Sequence, residues 1–190
     1  MRSTEGNDTP RFEVRIAGFG GQGVVTAGYV LGQGACIFND KNSTMTQSYG
    51  PEARGGACMS EVVISDEAID FPKVVKPDLL VTMSQEAYLL YYDDVKDGGA
   101  IILDEDLISL EEENKGIKYF KVPATRTAEQ LGNRIVANVV MLGAIVALTR
   151  VVSVEAMKKA VKARWPRYID LNLKALERGI ELGSSLLKGT

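Results

Sequence analysis

The chain has 190 residues, 45% of them hydrophobic, which is enough for one ordinary core and typical of a globular protein. Its 25 acidic and 22 basic residues leave a net charge of -3 with Lys and Arg scattered, so composition makes no case for nucleic acid or an anionic membrane as partner. The lack of histidine excludes imidazole-built zinc sites and Ser-His-Asp triads, and two cysteines, Cys36 and Cys58, are too few for an iron-sulfur cluster.

Residues 1–10 are polar and lack the apolar centre of a secretory signal, so they read as a flexible leader on a cytoplasmic protein, with residues 11–190 forming a single α/β domain. In such a compartment the two cysteines are expected to stay reduced and free, a disulfide between them being the alternative. From Phe12 to Ala17 the chain reads as a buried strand that breaks into a glycine turn and enters a helix over Val24 to Gly34. Gly18, Gly20 and Gly23 stand at the G-x-G-x-x-G spacing. This turn either offers main chain and free helix amides to a phosphate, or packs the helix closely on the strand. A dinucleotide site would need an acid about twenty positions on, at the end of a second strand. Asp40 is near that place, but Ala35 to Asn39 makes only a short, poor strand, so the signature is incomplete.

Ser43 to Tyr49 and Ala57 to Ser65 read as extended pieces joined by one glycine-rich loop, and are expected to pair as an antiparallel hairpin. The loop sets an aromatic, Tyr49, a carboxylate, Glu52, and a guanidinium, Arg54, among Gly50, Pro51, Gly55 and Gly56. It presents side chains to a ligand or partner, or is a surface turn with an internal Glu52 to Arg54 contact. Pro77 to Met83 is the next strand, followed by a helix capped by Ser84 and running to about Val95, whose Tyr88, Leu89, Tyr91 and Tyr92 read as core and interface residues. Strands over Ala100 to Leu103 and Ile117 to Val122 flank the acidic stretch Asp104 to Asn114. A long helix is expected from Ala128 to Thr149, capped by Thr127. Its apolar run Ile135 to Leu148 is shorter than the ~20 residues a bilayer needs and contains Asn138, so it reads as buried. Ser153 caps a helix to Arg164 that Pro166 closes, and Tyr168 to Leu182 suits a last one. The alternation predicts a three-layer α/β/α fold with a mostly parallel sheet, one antiparallel hairpin and a helical C-terminal third.

Gly18-Phe19-Gly20-Gly21-Gln22-Gly23-Val24, followed by Ser48-Tyr49-Gly50-Pro51-Glu52-Ala53-Arg54-Gly55-Gly56, resembles the gamma subunit of 2-oxoacid:ferredoxin oxidoreductases. The likeness continues in Val62 to Asp66, Pro77-Asp78, Leu131 to Asn133 and Leu142-Gly143, and spans Phe12 to about Val161. The resemblance implies a Rossmann-like domain within an enzyme that converts a 2-oxoacid, coenzyme A and oxidised ferredoxin into acyl-CoA, carbon dioxide and reduced ferredoxin. Thiamine diphosphate and iron-sulfur clusters serve that enzyme, whereas this chain lacks both a thiamine-type Gly-Asp-Gly and the cysteines for a cluster.

The implied role is therefore a non-redox partner of thiamine- and 2-oxoacid-binding alpha and beta subunits, reaching ferredoxin through the complex. No catalytic residue and no metal ligand are expected on it. Carried over by position, contacts with coenzyme A or a partner fall on Gly18, Gly20, Gly21, Gln22 and Gly23, and on Tyr49, Gly50, Pro51, Glu52, Arg54, Gly55 and Gly56. Tyr49 and Ala53 to Gly56 look more like 2-oxoglutarate members than pyruvate members, with branched-chain and indolepyruvate enzymes also related. The competing readings are a stand-alone nucleotide-binding dehydrogenase using the Gly18 turn and Asp40, and a non-enzymatic binding module of the same fold. An isolated gamma chain would be inactive, and bare partner surfaces are where copies of it would pair with each other.

Overall fold

The computed structural model of the chain describes residues 11–49, 57–110 and 113–188. Its centre is β1 (Phe12–Phe19), whose short and β-branched residues Val14, Ile16 and Ala17 are fully buried. Around it lies a six-stranded sheet of order β2-β3-β1-β4-β5-β6, completed by β2 (Asn42–Tyr49), β3 (Ala57–Ser65), β4 (Leu79–Thr82), β5 (Ala100–Asp104) and β6 (Lys118–Val122). Strands β1, β4, β5 and β6 pair in parallel, while β3 runs against both neighbours. The expected hairpin is present, with Asn42 opposite Ser65 and Tyr49 opposite Cys58. Its connecting residues 50–56, and with them the candidates Gly50, Pro51, Glu52, Arg54, Gly55 and Gly56, lie outside the described residues.

Helices cover the two sheet faces unequally. On one face Leu80, Ile101 and Leu103 pack with Tyr88 of α2 (Gln85–Tyr91), whose first turn is capped by Ser84 Oγ accepting from Ala87 N at 3.2 Å. Tyr88 belongs to this core as expected, whereas Leu89 is exposed. Arg15, buried on β1, joins Glu61 of β3 at 2.9 Å, Asp94 of the 3₁₀ turn after α2, and the ring of Tyr91. On the other face Val14, Ile16, Val62, Ile64 and Val81 meet α1 (Val24–Phe38), α3 (Ala124–Gln130), α4 (Ala137–Thr149), α5 (Val154–Arg164) and α6 (Ile169–Lys188) in the main core. Two readings from sequence change here. Ala35 to Phe38 form the last turn of α1 and no strand, because Ala35 continues its buried face. Asp40 follows that turn with φ 51, one helix length, about 22 Å, from the glycine turn.

The long helix expected after Thr127 is two helices. Thr127 is a buried interior residue of α3, and the chain breaks at Gly132, whose φ of 94 suits a residue without a Cβ. Asn133 Oδ1 then accepts from Ile135 N and opens a 3₁₀ turn, Arg134–Val136, that leads into α4. Every residue from Ala137 to Val146 is buried, which explains why the apolar pattern of this segment covers more than one face. Among the described residues no helix is long and apolar enough to cross a membrane.

Helices α4 and α6 approach at backbone distance. A Cβ on Gly143 would stand 2.2 Å from Leu176 O, and one on Gly179 would stand 2.0 Å from Val140 O. Gly179→Ala gains about 1 kcal/mol of helix propensity but forces two backbones apart, and overpacking of this kind costs up to about 3 kcal/mol or more. The expected outcome is a net loss of about 2 kcal/mol, read as a lower urea midpoint with an unchanged slope.

Candidate functional site

β1 ends at Phe19, and the four residues that follow are held by two carboxamides. Gln22 Oε1 accepts from Phe19 N at 2.7 Å, while Gln22 Nε2 donates to Met83 O at 2.6 Å just past β4. This side chain therefore spans the gap between β1 and β4, the crevice where connections diverge to opposite sides of the sheet. From the helical side, Asn138 Nδ2 of α4 donates to Gly23 O at 3.2 Å. The outer glycines of the motif leave room for these two residues: a Cβ on Gly18 would lie 2.5 Å from Gln22 Oε1, and one on Gly23 would lie 2.4 Å from Asn138 Nδ2. Gly20 and Gly21, by contrast, are exposed, and a Cβ on Gly21 would meet nothing. The packing role that the sequence left open thus falls on Gly18 and Gly23, while Gly20 and Gly21 stay open to solvent.

A cavity of about 670 Å³ opens beside the turn. Gly20, Gly21 and Gly23 with the first turn of α1 form one wall, and Tyr49 and Cys58 from the hairpin close a second. No side chain caps α1, so its first-turn amides are left to water or to a ligand. The third wall comes from the junction of α5 and α6, with Arg164, Trp165, Tyr168 and Asn172. Among the described residues Arg164 is the only charged one lining the cavity; it sits over the Trp165 ring at 5.6 Å and makes no ion pair among them. Burial pushes the Cys58 thiol up, so it is protonated at neutral pH and a poor nucleophile. Cys36 is exposed on α1 and both cysteines are free. Uncapped amides, one cation and no carboxylate among the described lining residues favour binding of an anion over acid-base chemistry.

Of the residues singled out from sequence, Gly20, Gly21, Gly23 and Tyr49 come together at this cavity. Gly18 is buried in β1, and Gln22 lines a smaller cavity of about 250 Å³ with Met83 and Arg134. Asn138, Arg164, Trp165, Tyr168 and Asn172 complete the main cavity and did not figure among the sequence candidates. One trace of them is legible: Asn138 is a lone amide in a run of apolar residues.

The sequence and the fold of this chain have known counterparts. The family model described as "Pyruvate ferredoxin/flavodoxin oxidoreductase" matches residues 13–182, and the chain belongs to that family. It is 51% identical over 179 residues to 2-oxoglutarate synthase subunit KorC of Methanocaldococcus jannaschii, covering 93% of this chain and 96% of that protein. Ketoisovalerate oxidoreductase subunit VorA of Methanothermobacter thermautotrophicus is 38% identical over 184 residues, covering 95% of this chain but 38% of that longer protein. The crystal structure of a keto/oxoacid ferredoxin oxidoreductase gamma subunit from Geobacter sulfurreducens PCA superposes with a TM-score of 0.83 at 42% identity, covering 92% of this chain and 97% of that one.

The division of labour within the turn is testable by stability. Gly21→Ala should cost about 1 kcal/mol, the strain of a side chain at φ 96, whereas Gly23→Ala adds a clash with Asn138 and should cost about 3 kcal/mol. Denaturant melts of the two variants check the order.

Proposed function

We propose that this chain is the gamma subunit of a 2-oxoglutarate:ferredoxin oxidoreductase. The observation that carries the reading is the 51% identity to a 2-oxoglutarate synthase subunit over nearly the whole of both chains, against 38% to the ketoisovalerate protein. The complex would cleave 2-oxoglutarate to carbon dioxide, join the succinyl group to the coenzyme A thiol, and pass two electrons to oxidised ferredoxin in the cytoplasm. Thiamine diphosphate and iron-sulfur clusters reside on partner alpha and beta subunits in this reading. This chain contributes binding: Gly20, Gly21 and the first turn of α1 meet anionic groups of coenzyme A, aided by Tyr49 and by Arg54 of the adjoining loop.

A binding role accords with the site's electrostatics and surface. Tyr49, Ile135 and Tyr168, each more than 60% exposed, line the same cavity and offer apolar area for a partner subunit to cover. In the longer ketoisovalerate relative the matching segment is joined to further sequence, as a unit working beside others would be. A stand-alone dehydrogenase using Asp40 for ribose is disfavoured, because Asp40 lies a helix length from the turn and Gln22 spans the crevice a dinucleotide would enter.

Purified alone, the chain should neither oxidise 2-oxoglutarate nor bind iron. Co-expression with its alpha and beta partners should give coenzyme A-dependent reduction of ferredoxin, preferring 2-oxoglutarate over pyruvate and 2-oxoisovalerate. Activity in the isolated chain, or an assembled complex indifferent to 2-oxoglutarate, would remove the reading.

Arg54 separates coenzyme A contact from subunit contact. Arg54→Ala in the assembled enzyme should raise KM for coenzyme A by about tenfold per 1.4 kcal/mol lost, with KM for the 2-oxoacid unchanged. Arg54→Lys keeps charge without the planar fork and should fall between. If Arg54 holds a partner subunit instead, the complex will dissociate at lower salt with its kinetics intact.

A further inference from the structure

Asn138 and Asn172 both line the main cavity, and each is only 4% exposed. The orientation of each carboxamide is settled by its partner. Asn138 Nδ2 donates to Gly23 O at 3.2 Å and Asn172 Nδ2 donates to Tyr168 O at 2.8 Å, and a carbonyl can only accept, so nitrogen must face it. Each Oδ1 is therefore turned away from its anchor. Neither Oδ1 has a hydrogen-bond partner among the described residues, and neither is sealed from solvent as Gln33 Oε1 and Thr82 Oγ1 are. Two buried residues that line one cavity thus each keep an acceptor without a partner among the described residues, beside the α1 amides and Arg164, which donate, and the hydroxyls of Thr26, Tyr49 and Tyr168, which do either.

Buried polar atoms are ordinarily paired with protein or with water, so an acceptor left open beside a cavity is one whose water a ligand's donor can replace. We propose that Asn138 and Asn172 are ligand-recognition residues, whose Oδ1 atoms accept from N–H groups of an anionic ligand while Arg164 meets its charge. Trp165 and Tyr168 supply flat apolar surface beside them. The inference rests on the reading of this chain as a coenzyme A-contacting subunit. Coenzyme A carries N–H groups in two places, the amides of its pantetheine arm and the amino group of its adenine, together with phosphates for Arg164. Two acceptors in fixed positions would select a ligand bearing such donors over an anion of similar size that lacks them.

Trp165 is the only tryptophan of the chain and lies on the cavity wall, so its emission reports occupancy. The full-length chain is titrated with coenzyme A, pantetheine and ADP. Coenzyme A should change the emission saturably, and Asn172→Leu should weaken it roughly tenfold. The same variant should weaken only one fragment: pantetheine if the arm's amides meet the asparagines, ADP if the adenine amino group does. Arg164→Ala should weaken coenzyme A and ADP by a similar factor and leave uncharged pantetheine within twofold. Asn172→Leu also removes the anchor on Tyr168 O, so its melting temperature is measured alongside; Arg164→Ala, at an exposed position, tests the cavity without that loss.

Wild-type binding of coenzyme A with both variants within twofold overturns the proposal and leaves the subunit assignment intact. No emission change and no calorimetric heat with any of the three probes also overturns it, even where the assembled enzyme is active. A chain that binds coenzyme A through these residues, yet forms no complex oxidising 2-oxoglutarate, sustains the proposal and removes the subunit assignment.

Discussion

The carboxamide of Gln22, held between the amide of Phe19 and the carbonyl of Met83, is the contact on which the site depends. It satisfies a main-chain donor and a main-chain acceptor at the ends of two adjacent strands, groups that would otherwise be left unpaired where the sheet stops. By doing so it fixes the path of the turn, and the turn sets where α1 begins. Asn138 grips the same turn from the opposite side through the carbonyl of Gly23, which also accepts the first helical bond from Ala27. Between these two holds, Gly20 and Gly21 line the main cavity, and Gly21 lines the smaller one beside Gln22 as well.

The third wall of the cavity depends on a different constraint. Asn138 and Asn172 belong to helices that meet where Gly143 and Gly179 let one backbone touch the other. Helices ordinarily pack 8–10 Å apart with side chains between them; here hydrogen replaces the side chain at the crossing. The closeness of α6 to α4 is what allows the junction of α5 and α6 to lie across the turn and carry Arg164, Trp165 and Asn172 to it. A stability feature in the core thereby positions a surface site.

In the proposed function the chemistry of the cavity is one of recognition. Among the described residues the cavity offers main-chain amides and a guanidinium as donors, carboxamide and hydroxyl oxygens as acceptors, and a thiol held protonated by burial. No carboxylate stands among the described lining residues to take up a proton. In the function proposed above, the subunit would contribute by holding coenzyme A where another subunit's reactive centre reaches it, a contribution of position and lost entropy.

Local signals in the sequence determined much of this protein. The β-branched run of β1, the serine caps of α2 and α5, the alternation of strand and helix, and the hairpin around residues 50–56 were all legible, because each rests on a few adjacent residues. So was membership of the family, carried by two glycine stretches in order. The break at Gly132 was not, since propensity over Ala128 to Thr149 favours one helix and only packing against α6 and the sheet rewards two. Nor was the division of labour in the glycine turn: Gly18 and Gly23 are needed by Gln22 and by Asn138, the latter 115 residues from its partner, and spacing along the chain carries no record of such a contact. The same holds for Arg164, Trp165 and Asn172. Only the tertiary structure brings the C-terminal helices over the N-terminal turn, because that closure is decided by the side chains two glycines in the core do not have.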